Sequence, residues 1–125
     1  MMQRTPRVLL GLSSLLLIVG AGLHASAFPK VVAAVAASNL PAHFGQAFKG
    51  LWLVDAATLF IVGVALAWIA ARPESGSRLT VVSLALIPGA TAVLLYLFMG
   101  NFPPSHLLVV ITVMGVFAGM RWGRG

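Results

Sequence analysis

Residues 51–71 read LWLVDAATLFIVGVALAWIAA, and this stretch decides the fold. It holds about 21 residues, close to the ~20 that carry an α-helix across ~30 Å of hydrocarbon at ~1.5 Å per residue. Trp52 and Trp68 stand near its two ends, where amphipathic rings sit at membrane interfaces, and Asp55 is its one charged side chain. Three more runs of the same kind flank it: Val8–Phe28 before it, Leu79–Met99 and about Phe102–Met120 after it. The expectation is all-α: one membrane domain over residues 1–125, folded as a four-helix transmembrane bundle of spans 8–28, 51–71, 79–99 and 102–120.

Composition agrees. The chain is 60% hydrophobic and 8% charged, with a mean hydropathy of +1.03, whereas about a quarter of the residues of an ordinary soluble domain are charged. It has no cysteine, which excludes disulfides, thiolate metal sites, iron–sulfur clusters and c-type haem attachment. The net charge of +6 does not point to nucleic acid, because the basic residues stand singly or in pairs at the ends of apolar runs, where they set topology and attract anionic lipid. Membrane lipids are therefore expected partners.

Arg4 and Arg7, Arg72 and Arg78, and Arg121 and Arg124 fall at one set of helix ends, with Lys30 and Lys49 at the other. That bias places both termini in the cytoplasm, as an even number of spans requires, and gives a multi-pass protein of an inner membrane. The first segment has a competing reading. Arg4 and Arg7, an apolar stretch and then Ala25-Ser26-Ala27 resemble a signal peptide with an A-x-A cleavage site, and cleavage after Ala27 would leave three spans. The uncleaved form satisfies both the charge rule and the even count, and is the reading adopted.

Outside the spans, residues 29–50 form a longer outer segment. Val31–Ala37 is too short to cross and is expected as a short helix at the surface or folded back on the bundle. Pro41 looks like the first turn of a helix running on to Ala71, ~46 Å long, which must tilt or project. Gly100–Pro104 is a tight turn, and Arg72–Arg78 a short polar link. Pro88 leaves the Leu84 carbonyl without its usual donor, so a kink is expected there. Gly115, Gly119 and Gly123 make a G-x-x-x-G-x-x-x-G ladder, and Ala85/Gly89 and Gly63/Ala67 are small-xxx-small pairs that let helices approach closely. Contact within one chain is favoured over dimerisation, since four short helices need these faces themselves.

The polar side chains carry the functional argument. His24, His43, Lys49, Asp55, Tyr96, Asn101 and His106 all fall in the outer half or outer loops, whereas the inner half holds hydroxyls such as Ser13, Ser14 and Ser83. An ionised carboxylate at the bilayer centre costs at least ~2.5 kcal/mol, so Asp55 is a functional candidate by default. His24, Asp55 and Tyr96 lie at similar depth on three helices, with His106 on the fourth and closer to the interface, and a shared outward-facing pocket is geometrically allowed. The bland alternative pairs Asp55 with Lys49, His24 or Tyr96 to fix helix order, and leaves His43 and His106 as interfacial residues.

Metal and haem are weakly supported, because no helix carries H-x-x-x-H or H-E-x-x-H. His24, Asp55 and Tyr96 could act as an acid/base group on a lipid or quinone, but there is no second acid, motif-placed nucleophile or phosphate-binding glycine loop. No cofactor is specified. In size and span count the chain resembles small multidrug-resistance transporters, and it shares the outline of small bacterial four-helix proteins of the DoxX type. The likeness is one of architecture: the membrane-buried glutamate of the former has no counterpart in the first helix here, and no diagnostic motif of the latter is matched. The expectation is a non-catalytic accessory subunit of a membrane complex, bound to a membrane-protein partner or to further copies of itself. The alternative is an outward-facing protein that binds a small molecule or lipid at His24, Asp55 and Tyr96, with metal or redox chemistry as an option.

Overall fold

Apolar runs of membrane-spanning length have no water to satisfy their backbone, so they close their own hydrogen bonds as helices. In the computed structural model, which describes residues 4–123, the elements are α1 (Arg4–Ser26), α2 (Phe28–Ala36), α3 (Ala42–Ala71), a short 3₁₀ turn (Pro73–Ser75), α4 (Arg78–Met99) and α5 (Pro103–Arg121). Four helical stretches are long and apolar enough to cross a membrane: α1 with α2, α3, α4 and α5. Only 22% to 33% of each span is buried inside the protein, so the larger part of every helix turns Val, Leu, Ile and Phe outward, as suits lipid rather than water.

The helices run alternately up and down. α1 packs on α3, α4 on α5, and α1 on α5; α3 and α4 touch far less, so the ring of four is loosest on that edge. Small residues set the two extensive seams. In the first, a Cβ on Gly63 would stand 2.8 Å from the Ile18 side chain and 3.2 Å from the Ser14 carbonyl. In the second, Gly115 meets the Ala85 methyl, Gly119 meets Val81 and Val82, and Gly89 meets Thr112. All four glycines pack within the chain. Gly123 does not extend the ladder: it lies beyond α5 with φ +72° and open space around it. Arg124, also counted in the charge bias, lies outside the described residues.

Hydroxyls and arginines tie the seams. Ser13 and Ser14, adjacent on α1 and both buried, donate in two directions: Ser14 Oγ to the Gly63 carbonyl on α3 at 2.7 Å, and Ser13 Oγ to the Ile111 carbonyl on α5 at a long 3.4 Å. The Arg7 guanidinium crosses from α1 to the Ala70 and Ala71 carbonyls at 3.0 and 3.4 Å. It thereby satisfies the orphan acceptors at the negative end of the α3 dipole. Arg4, Arg7, Arg72, Arg78 and Arg121 all sit at this end of the bundle, called here the arginine end, and the three histidines lie toward the other.

Toward the histidine end the two hairpins differ in length. Ala27 interrupts α1 and α2 for one residue, and Pro29 follows in the first turn of α2. α2 then continues upward and folds against α3, where Val35 covers Gly45. Pro41 caps α3, which is unbroken for 30 residues, or ~45 Å. α4 and α5 have 22 and 19 residues, ~33 and ~29 Å. By length the α2–α3 pair therefore rises about two to three turns above the α4–α5 turn.

Candidate functional site

Depth can be measured from the arginine end, where Arg7 is level with Ala70. At ~1.5 Å per residue His24 stands ~25 Å above Arg7, Asp55 ~24 Å above Ala71, Tyr96 ~27 Å above Arg78 and His106 ~22 Å above Arg121. By this count the four side chains stand at similar heights, a distance from the arginine end that approaches the ~30 Å thickness of a hydrocarbon core.

At those heights they form two clusters, one on each hairpin. On the first, His24 Nε2 lies 3.5 Å from Asp55 Oδ2, with both side chains partly exposed (27% and 37%). This is the one ion-pair contact among the described residues, so of the partners weighed for Asp55 it is His24 that the fold supplies. The His24 ring stacks on Trp52, with centroids 4.0 Å apart and planes 12° from parallel. The Trp52 indole N–H donates to the His24 carbonyl at 2.9 Å. That acceptor has room for the indole because the chain breaks from α-helix at Ala27, whose N–H reaches back to the same carbonyl in a tighter turn at 3.2 Å. Two contacts from one indole thus fix the His24 ring and its backbone together. His24 Nε2 is itself buried and has no hydrogen-bond partner, because the carboxylate contact is too long to close one.

On the second hairpin, Tyr96 Oη and His106 Nδ1 are 2.5 Å apart, and His106 Nε2 is 2.8 Å from Asn101 Oδ1. The amide oxygen only accepts, so Nε2–H donates to it and Nδ1, in the neutral ring, accepts a hydrogen bond from the Tyr96 hydroxyl. The chain Tyr96–His106–Asn101 joins the end of α4, the turn and the first coil of α5, and its members are partly or fully exposed. Ser105, beside it, is completely buried and its hydroxyl has no partner.

No hydrogen bond or ion pair among the described residues joins the two clusters. His24 and Asp55 come together, as do Tyr96 and His106; equal depth does not bring the pairs into contact. His43 belongs to neither: it is exposed on the projecting part of α3 and lies edge-on to Phe44. Lys49, also on the projection, is partly exposed and makes no ion pair among the described residues.

Above the His24–Asp55 pair, α3 presents Phe44, Phe48 and Leu51, with 60%, 47% and 66% of their surface exposed. They continue the same stripe of α3 that lower down buries Leu59, Val62 and Leu66. The stripe is uncovered at the top because α4 and α5 end below it. Trp52 and Asn101 are the two members of these clusters that weighing candidates by titratability passes over. Neither leaves a signal in the sequence, since an indole or amide that bonds a group on another element is not marked by its neighbours. Among the described residues no group of three or more metal-ligating side chains converges.

Comparison with family models, with curated proteins and with solved structures returned no match, so what can be said of function rests on these residues.

Proposed function

We propose that the chain is a non-catalytic accessory subunit of an inner-membrane complex, inserted with both ends on the cytoplasmic side. The observation that carries this reading is the pairwise closure of the polar layer. The one acid within a span contacts His24, Tyr96 bonds His106, and each pair belongs to a single hairpin. Side chains arranged in this way hold helices in register, which is the use expected of polar groups at helix contacts in lipid. Along the spans, most of what remains free for other molecules is apolar: their outward faces and the Phe44–Phe48–Leu51 stripe above them. The orientation is supported by the five described arginines at one end against Lys30 and Lys49 at the other.

The test is native mass spectrometry of the full chain, gently extracted from its own membrane, with elemental analysis of the same sample. A stoichiometric membrane-protein partner retained in Asp55→Asn supports the accessory reading. A bare chain carrying a metal, haem or small molecule that disappears in Asp55→Asn refutes it. Orientation has its own test, helped by the absence of cysteine. Single cysteines at Ser75 and Asn39 should differ in labelling by a membrane-impermeant maleimide added outside, with Asn39 reacting and Ser75 protected.

A second reading keeps one observation in its favour: the buried, unpartnered His24 Nε2 beside a half-exposed carboxylate. A ligand with one donor and one acceptor, such as a hydroxylated lipid headgroup, would satisfy both groups where their own contact is too long. In that case the binding residues are His24 and Asp55 alone, with Tyr96 and His106 apart.

A further inference from the structure

The arginine end carries an open groove of about 670 Å³ between the α3–α4 link and the end of α5. Its walls include Glu74, Gly76, Ser77, Arg78 and Trp122. The floor is fixed. Trp122 is buried and its indole N–H donates to the Gly76 carbonyl at 2.9 Å, while Gly76 itself presses on Ile69. Ser77 caps α4 by accepting from Thr80 N–H at 3.1 Å, and Ser75 ties the link back to the Arg72 carbonyl. The groove lies where α3 ends and α4 begins, at the level where a lipid headgroup meets the span.

Two opposite charges line it without pairing: Glu74 and Arg78 are both exposed, and no salt bridge joins them. Among the described residues, three other arginines of this end are engaged elsewhere, Arg7 on the α3 carbonyls, Arg72 over the Trp68 ring at 4.5 Å and Arg121 over Phe117 at 4.4 Å. A simple anion would find Arg78 but also face Glu74. A zwitterion carrying a phosphate and a primary ammonium matches both, with the phosphate toward the guanidinium and the ammonium donating to the carboxylate. We infer that this groove binds the phosphoethanolamine headgroup of a membrane phospholipid. A choline headgroup has the same charges but no N–H to donate to Glu74, so it fits less well. The inference rests on the spans crossing a membrane and is independent of the accessory role.

The test uses the full chain in nanodiscs containing equal amounts of phosphatidylethanolamine, phosphatidylcholine and phosphatidylglycerol, with the retained lipids counted by native mass spectrometry. The native chain should keep the ethanolamine lipid over the choline lipid by roughly fivefold, the scale of the one hydrogen bond that choline cannot make. Glu74→Gln should remove that preference, Arg78→Gln should lower retention of all three lipids, and Arg121→Gln should leave the pattern unchanged. Equal retention of the three by the native chain, or a preference for the glycerol lipid, overturns the inference. So does an ethanolamine preference that survives both substitutions. Both residues are exposed, and helical circular dichroism checks that the variants fold. A chain that holds its membrane-protein partner yet shows no headgroup preference loses this inference alone.

Discussion

Replacing Gly63 by alanine tests whether close backbone approach holds the first hairpin together. The new Cβ would stand 2.8 Å from Ile18 Cγ1, 3.2 Å from Leu17 Cβ and 3.2 Å from the Ser14 carbonyl oxygen. Ile18 can turn away, but the other two atoms are fixed to the α1 backbone, so α1 must retreat by a few tenths of an ångström. Overpacking of this kind costs ~1–3 kcal/mol, and alanine returns up to ~1 kcal/mol of helix propensity. The expected net loss is ~1–2 kcal/mol. The retreat also stretches the 2.7 Å bond from Ser14 Oγ to the Gly63 carbonyl, and such bonds between membrane helices average ~0.6 kcal/mol. Ser14→Ala should therefore cost ~0.6 kcal/mol in the native background and almost nothing beside Gly63→Ala, a coupling that a double-mutant cycle reads directly. Gly22, on the same hairpin, supplies the control: nothing lies within 4 Å of its would-be Cβ, and Gly22→Ala should be neutral or stabilising. The assay is reversible unfolding in mixed micelles titrated with a denaturing detergent, followed by circular dichroism. The reasoning fails if Gly63→Ala matches the native stability, or if Gly22→Ala loses as much.

Three further substitutions address the polar layer and its counterpart at the arginine end. Asp55→Asn should lower stability in the same assay by no more than ~1 kcal/mol, since the contact is 3.5 Å long and partly exposed; a larger loss would show the pair to be a true structural ion pair. Tyr96→Phe removes the hydroxyl that His106 Nδ1 accepts from, and should shift the His106 ring signals in NMR while leaving those of His24 in place, because no bond connects the two clusters. A matching shift at His24 would join what the structure separates. Arg7→Gln should weaken hydrogen-exchange protection in the last turn of α3, on the order of 0.3–1 kcal/mol for a charge at a helix C-terminus, while leaving α4 unaffected; unchanged protection at Ala71 and Arg72 would mean the carbonyls are satisfied by water.

The spans were legible because a length rule and an apolar pattern act along one axis. The same axis carried relative depth: counting residues put His24, Asp55 and Tyr96 at similar depth, with His106 closer to the interface, and the contacts found are His24 with Asp55 and Tyr96 with His106. Lateral position is another quantity. Whether two side chains at equal height meet depends on the rotation of each helix about its own axis, and these helices are apolar all round, so no polar stripe sets that phase. An outer pocket of His24, Asp55 and Tyr96 was therefore allowed by depth, where the fold pairs His24 with Asp55 and Tyr96 with His106. The glycines at 63, 89, 115 and 119 were legible as close-approach sites because small residues at helical spacing have one main use in lipid. Gly123 shared their spacing but lies past the end of α5. Ser13 and Ser14 read only as polar residues of the inner half, since a hydroxyl's partner carbonyl on another helix leaves no mark in sequence.

The same features bear on how the molecule can act. Each hairpin is tied within itself at several heights: Arg7 to Ala70, Ser14 to Gly63 and His24 beside Asp55 in one, and the Gly115–Ala85 contact and the Tyr96–His106 bond in the other. Between the hairpins the named polar tie is the 3.4 Å contact from Ser13 to the Ile111 carbonyl, and the α3–α4 edge is scarcely closed. In lipid, where apolar side chains gain little by leaving the bilayer for one another, a seam with few polar or close-packed ties is the weak one. Separation of α1–α3 from α4–α5 therefore costs less than unfolding either, and a partner helix competing for the α3–α4 edge would break few bonds to enter. Neither cluster of polar side chains would be disrupted by such entry, because the contacts of each lie within its own hairpin. A bundle built in this way can open along that edge while keeping each half folded, which is what the proposed accessory role would ask of it.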